Sequence, residues 1–292
     1  MSNQVIQWFP GHMAKARREA QEKISMVDIV LELVDARIPE SSRNPIIQDI
    51  IGQKPSIIVL NKMDMADSQK TQEWIHYYQE KGQKAIAIDA QHQKGIRQLQ
   101  QLITKEMTPT FERLKEKGMK PRPIRLLILG IPNVGKSTLI NRFVGKNQAI
   151  TGNKPGVTKA QRWLKCGKSF ELLDTPGILW PKFEDPLVGK KLALTGAIKD
   201  TLLHMDDIAL YLLHVLITRY PQALKDKLSL TTSDFDRDLP DLLLHLTKKM
   251  GFKEDYDQAS IKLVQDFRNL GFGPVTLDYV EESITIENPE RN

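Results

Sequence analysis

The sequence predicts an α/β protein: a parallel-type sheet flanked by helices, followed by a smaller, mostly helical C-terminal domain. Three observations predict this. Short apolar runs without alternation recur up to Leu173, as strands buried on both faces require. Helical patterns separate these runs, which is the rhythm of right-handed crossovers. After about Pro186 the strand runs stop, and apolar residues fall at helical spacing.

The runs are Val27–Asp35, Ser56–Leu60, Lys84–Asp89, Arg125–Leu129 and Ser169–Leu173. Helical patterns cover Asp67–Lys81, Ile96–Glu106 and Lys136–Val144. Thr108–Pro123 breaks the rhythm with charge and Pro-Arg-Pro, and reads as a connector, partly helical at Phe111–Lys117. Helices are predicted over Leu187–Leu203, Asp206–Tyr220, Pro240–Met250 and Tyr256–Leu270. The tail Val275–Ile286 reads as a terminal strand or extended segment. The expected division is residues 1–185, with an N-terminal arm over 1–25 and the connector near 108–123, and residues 186–292.

The bulk properties narrow the function. No apolar run approaches the roughly 18–20 residues that span a bilayer. Met1–Phe9 lacks the basic and apolar regions of a signal peptide. Cys166, the single cysteine, has no internal disulfide partner. A cytoplasmic monomer away from membranes is the expectation. The net charge is +6, and it is unevenly spread. Gly130–Phe170 carries eight Lys or Arg and no Asp or Glu, whereas Gly251–Asn292 carries four basic against nine acidic residues. The positive field points to an anionic partner.

Within that basic stretch, Gly130 to Ser137 reads G-I-P-N-V-G-K-S, between a predicted strand and helix. This is the phosphate-loop pattern in its required context. Glycines let backbone N–H groups close on phosphates, with Asn133, Val134, Gly135 and Thr138 in the cradle, and the following helix adds its positive end. Lys136 is expected on the β- and γ-phosphates and the Ser137 hydroxyl on Mg²⁺. Asp174-Thr-Pro-Gly177 ends another strand: Asp174 faces the Mg²⁺ site, and Gly177 offers an N–H to the γ-phosphate. Thr158, in Pro155-Gly-Val-Thr, is the candidate switch threonine over Mg²⁺ and γ-phosphate. A plain surface turn is the competing reading there.

Asn61-Lys62-Met-Asp64 follows the strand ending at Leu60. Asp64 can accept two bonds from guanine, a donor pair that adenine lacks. Asn61 suits the other base edge, and the Lys62 stem suits the ring face. Asp89-Ala90-Gln91 ends the next strand, with a backbone N–H near Ala90 expected on guanine O6. Most GTPases carry Ser and Lys where this chain has Asp89 and Gln91.

The order of these motifs is diagnostic. The chain runs NKMD, DAQ, phosphate loop, PGVT, DTPG, whereas most GTPases begin with the phosphate loop. The pattern predicts a circularly permuted P-loop GTPase domain whose second switch leads directly into the helical C-terminal domain. In Trp8-Phe-Pro-Gly-His12-Met-Ala-Lys15-Ala, Val34-Asp-Ala-Arg37-Ile-Pro, Ser42-Arg-Asn44-Pro and Asp174 to Phe183, the chain resembles the circularly permuted ribosome-assembly GTPases. The resemblance implies a role in maturing the large (50S) ribosomal subunit, contact with 23S rRNA, an RNA-binding C-terminal domain, and GTPase activity stimulated by the particle.

Ile178 occupies the position where many GTPases place a water-orienting Gln. The family it resembles shares that hydrophobic replacement. Another group must position the water, and His12 beside Pro10-Gly11 is the candidate; a helix cap or RNA contact competes for it. Asn133 also matches loops that recruit K⁺. A GTP-gated RNA chaperone without hydrolysis is the alternative that Ile178 supports. Lys15, Arg17, Arg18, Lys190, Lys191 and Lys199 are candidate phosphate contacts, each salt-dependent.

Overall fold

The computed structural model describes residues 11–145, 162–174, 178 and 185–287. Its strands are β1 (Ile29–Asp35), β2 (Ser56–Asn61), β3 (Lys84–Ala87), β4 (Ile124–Gly130), β5 (Arg162–Cys166) and β6 (Phe170–Asp174). They form one sheet in the order β3-β2-β1-β4-β6-β5. Every neighbouring pair is parallel except β5 and β6. The carboxyl ends of the five parallel strands therefore share one edge, where open α/β sheets bind ligands.

The central strands are apolar because both faces are covered. Ile29, Leu31 and Leu33 of β1 join Leu126 and Ile128 of β4 in the large core. Val30, Leu127 and Leu129 point the other way, into a second cluster. Helices cover both sides. They are α1 (Gly11–Lys23), α2 (Pro45–Ile51), α3 (Ser68–Glu80), α4 (Ile96–Glu116) and α5 (Lys136–Val144). Asp67 caps α3, accepting from the N–H groups of Gln69 and Lys70, which satisfies two otherwise orphaned donors.

Before Asp185 the chain departs from the expected elements in three ways. First, β5 is a strand missing from the expected set. Trp163 and Lys165 are exposed while Leu164 and Cys166 are buried, so it alternates as an edge strand does. A search for continuous apolar runs passes over that pattern. Second, most of the expected connector is helix. α4 continues through Pro109 to Glu116. The proline removes one backbone bond and costs about 3 kcal/mol. Burial of Ile96, Leu99, Ile103 and Met107 on one face, with Phe111 packed alongside, offsets that loss. The chain turns only at Gly118, in the left-handed region at φ +76°. Third, α1 and α2 were not anticipated. α2 starts on a side-chain cap from Asn44 followed by Pro45, a strong start signal in a short element.

Beyond Asp185 the described residues are mostly helical: α6 (Pro186–Leu194), α7 (Met205–Arg219), α8 (Pro221–Leu228), α9 (Leu239–Lys249), α10 (Tyr256–Arg268) and α11 (Val280–Glu287). α6 ends earlier than expected, since Gly196 adopts φ +79° just past it, as helix-ending glycines do. The tail is extended only before Val280, after which it forms α11. Leu192, Leu212, Leu224, Leu242 and Leu263 belong to the same apolar core as Leu31 and Ile128, so α6 to α10 pack on one face of the sheet, whereas Val280 of α11 packs with Trp74 against the other.

The stretch before α11 returns to the sheet. Val275 donates to Met65 O and Leu277 to Arg37 O. The Trp74 indole donates to Asp278 O at 3.0 Å. The Asp278 carboxylate accepts from Glu40 N, Ser41 N and Ser41 Oγ at 2.7–2.9 Å. Lys191 lies 2.8 Å from it; burial opposes the ammonium, but Asp278 outweighs that and raises its pKa. Lys191 is therefore a buried structural partner and not the phosphate contact its position suggested. Removing one member of a buried pair costs about 3–5 kcal/mol. Asp278→Ala should lower unfolding stability by that amount in urea titrations at pH 7. Adding Lys191→Met should recover part of the loss.

Candidate guanine-nucleotide site

The phosphate loop joins β4 to α5. Gly130 and Gly135 are required by contact. A Cβ on Gly130 would lie 2.5 Å from Leu33 O, and one on Gly135 would lie 2.3 Å from Asn61 Nδ2, with φ at +102°. Val134 is buried. Lys136 is buried too, and its ammonium donates to Gly130 O at 3.2 Å and Ile131 O at 2.8 Å. Ser137 and Thr138 are half-buried in the first turn of α5.

The NKMD segment is bonded to this loop. Asn61 donates to Val134 O at 2.8 Å and accepts from Ala90 N at 3.1 Å. One carboxamide thus ties NKMD, the phosphate loop and the loop after β3 together. The Ala90 N–H is engaged by Asn61, so a base oxygen there would share or displace that bond. Lys62 adopts φ +62°, and its ammonium donates to Asn133 O at 2.8 Å. Asp64 is half-buried. Asn133 Nδ2 reaches Gly196 O at 3.4 Å, which brings the end of α6 against the phosphate loop.

Some expected residues lie outside the described ones. Thr158 and Gly177 do, as do the side chains of His12, in α1, and Asp174, at the end of β6. Asp174 nevertheless ends a strand parallel to β4, so its backbone reaches the same sheet edge as the phosphate loop.

The structure adds contacts that the motifs did not reveal. Asp35, 2% exposed, ends β1 and accepts a bidentate pair from Arg37 at 2.9 and 2.8 Å. It also lies 2.9 Å from the Lys62 ammonium. Burial opposes its charge, but Arg37 and Lys62 together overcome that and hold its carboxyl well below the usual range. Burial pushes the Lys62 ammonium down, with Asp35 resisting. Arg142 of α5 donates to Ala90 O and Gln91 O. Asp89 accepts from both His92 N and His92 Nδ1, which closes the loop that carries Ala90. Asn44 donates to Ile178 O at 2.9 Å, and Ile178 N donates to Gly130 O.

Comparison with known proteins identifies the fold and lineage. The family described as "RsgA GTPase" matches residues 17–184, and that described as "50S ribosome-binding GTPase" matches 125–260. Ribosome biogenesis GTPase A of Priestia megaterium is 50% identical over 289 residues, covering 96% of this chain and 98% of that protein. The chain belongs to the ribosome biogenesis GTPase A family. Mitochondrial ribosome-associated GTPase 1 of Ictalurus punctatus is 34% identical over 94% of this chain and 93% of its own. The structure titled GNP-bound YlqF from T. maritima superposes with a TM-score of 0.62 at 23% identity, covering 91% of this chain and 99% of that one. That likeness shows the shared fold. Family membership makes this chain a P-loop GTPase, a class typically Mg²⁺-dependent. Among the described residues no helix is long and apolar enough to cross a membrane.

Asp35→Asn should therefore act on both fold and site. It leaves the buried Arg37 and the half-buried Lys62 without their anion, at a cost of about 3–5 kcal/mol. Guanosine diphosphate affinity should fall about tenfold, since 1.4 kcal/mol is a factor of ten. The folded-state pKa of Asp35 is depressed, so its contribution is complete above the unfolded carboxylate value of about 3.9 and is lost as pH falls below it. Urea titrations should show the gap between wild type and variant in full at pH 7, closing below about pH 4.

Proposed function

We propose that this protein hydrolyses GTP as a switch in late assembly of the large ribosomal subunit, binding 23S rRNA and turning over faster on the particle. The observation that carries the nucleotide reading is the Asn61 carboxamide, bonded at once to Val134 O and Ala90 N. It makes base recognition and phosphate binding one rigid unit. The family relationship carries the ribosomal reading.

In this reading Asp64 selects guanine, with Asn61, Lys62 and Ala90 completing the base pocket. Asn133, Val134, Gly135, Lys136, Ser137 and Thr138 hold the phosphates, with Asp174 and Gly177 opposite. Mg²⁺ suits a set of hydroxyl and carboxylate oxygens, and Ser137, Thr158 and Asp174 are that set. When bound, the ion neutralises charge developing on the β- and γ-oxygens. Lys136 moves from the Gly130 and Ile131 carbonyls to the phosphates.

Ile178 is fully buried in the cluster with Leu127 and Leu173, so its side chain cannot orient water. His12 supplies that function from the N-terminal arm, and Asn133 helps hold K⁺ against the phosphates. The C-terminal helices and the basic stretch from Gly130 to Phe170 meet RNA phosphate. The protein works as a cytoplasmic monomer.

GTP turnover should rise strongly when purified 50S subunits are added at fixed salt. Lys136→Ala should abolish it. His12→Ala should keep nucleotide binding and lose stimulation, and Na⁺ in place of K⁺ should slow turnover. Turnover that subunits do not change would overturn the ribosomal part of the reading. Wild-type rates in His12→Ala or in Na⁺ would remove those two assignments alone.

A further inference from the structure

Resting on the reading of GTP hydrolysis above, we propose that Asn44 is a positioning residue for the hydrolytic step. It fixes the main chain at Ile178, in the slot where other GTPases orient water.

Ile178 can contribute to the site only through its main chain. Its side chain is in the core, so the backbone alone can face the site. Both backbone groups are tied. The N–H donates to Gly130 O at 3.1 Å, on the phosphate loop. The carbonyl accepts from Asn44 Nδ2 at 2.9 Å. The residue directly after the DTPG segment is thus held between the phosphate loop and the start of α2.

Asn44 suits the task because its two side-chain ends do different work. It is fully buried. Its Oδ1 accepts from Ile46 N at 3.0 Å, capping α2. That bond sets the amide orientation, since only Nδ2 is left to meet a carbonyl oxygen. Aspartate at this position keeps the cap acceptor but turns an oxygen toward Ile178 O. Serine also keeps the cap, but is too short to reach across.

The loop that carries Asn44 begins at Asp35. Ser42 Oγ accepts from Asp35 N at 3.0 Å and donates to Ile38 O. One end of the loop holds Lys62, and so the base side, through the Asp35 carboxylate. The other end holds Ile178, on the phosphate side. Asp278 clamps the middle at Glu40 and Ser41. The loop is a brace between the base-reading and phosphate-sensing halves of the site, and Asn44 is its contact with the latter.

The test compares Asn44→Asp and Asn44→Ser with wild type in 50S-stimulated turnover, alongside affinities for GDP and a non-hydrolysable GTP analogue. Misplacing a reacting group by about 1 Å can cost on the order of a hundredfold. Both variants should lose about ten- to a hundredfold in kcat and bind the analogue more weakly, while GDP affinity stays within about twofold. Thermal unfolding shows which variants are folded. If Asn44→Asp does not fold, Asn44→Ser carries the test alone. Wild-type kcat in a folded variant overturns the assignment. So does a loss of GDP affinity parallel to that of the analogue, which a merely structural role would give. If wild type itself does not turn over, the functional reading falls, and this assignment with it.

Discussion

A carboxylate as buried as Asp35 keeps its charge only if cations offset the solvation it has lost. Two do. Arg37, two residues on, forks onto both oxygens, and Lys62 arrives from the end of β2. The triad carries one net positive charge, and its remaining bonds extend outward. The Lys62 ammonium continues to Asn133 O. The Arg37 guanidinium lies over the Phe267 ring, 5.5 Å from its centroid, and Arg37 O accepts from Leu277 N. The NKMD segment, the phosphate loop and the C-terminal helices therefore meet around one anion at the end of the central strand.

This arrangement answers the mechanical problem that the permuted order poses. With the DTPG segment followed in the chain by α6, a displacement on the phosphate side would have a covalent route into the C-terminal region. It also has non-covalent ones. α6 contributes Lys191 to Asp278, and its end reaches Asn133 through Gly196. Arg268 of α10 donates to Ala193 O and Leu194 O. Apolar packing joins these helices to the sheet face as one cluster. Close-packed interiors respond to strain by shifting between discrete arrangements, not by deforming smoothly. A core shared by the sheet and the C-terminal helices is suited to pass on a displacement at the phosphate loop.

Much of the fold was legible because its central strands are buried on both faces. VDIVLELVD, SIIVL and RLLIL are largely apolar runs with few breaks, and β1, β2 and β4 lie within or one residue beyond them. The strings assigned to phosphate and guanine could be picked out for a related reason. Each is a short contiguous string that follows a strand, and the sheet brings those strand ends to one edge. Legibility failed where local patterns competed. β5 alternates lysine and tryptophan with leucine and cysteine, so charge masked its period of two. Pro109 argued for a break that tertiary burial of α4 overrode.

The partners of the motifs were illegible for a different reason. Asn44 and Ile178 are 134 positions apart, and Asp278 lies 237 from Ser41. Nothing in either local sequence names the other. Yet signs of unusual burial were present. Asp35 and Arg37 interrupt an apolar setting two residues apart, and Asp89 replaces a serine that most GTPases keep. A charged residue at the end of a buried strand must have a partner, since an orphaned buried charge costs several kcal/mol. Sequence reasoning can thus state that a partner exists, and which charge it carries, before it can say where that partner lies in the chain. For Asp35 the rule requires cations, and Arg37 and Lys62 are both within reach of the motifs already recognised. For Asn44 no charge imbalance sets a requirement, and only the folded backbone reveals the carbonyl it holds.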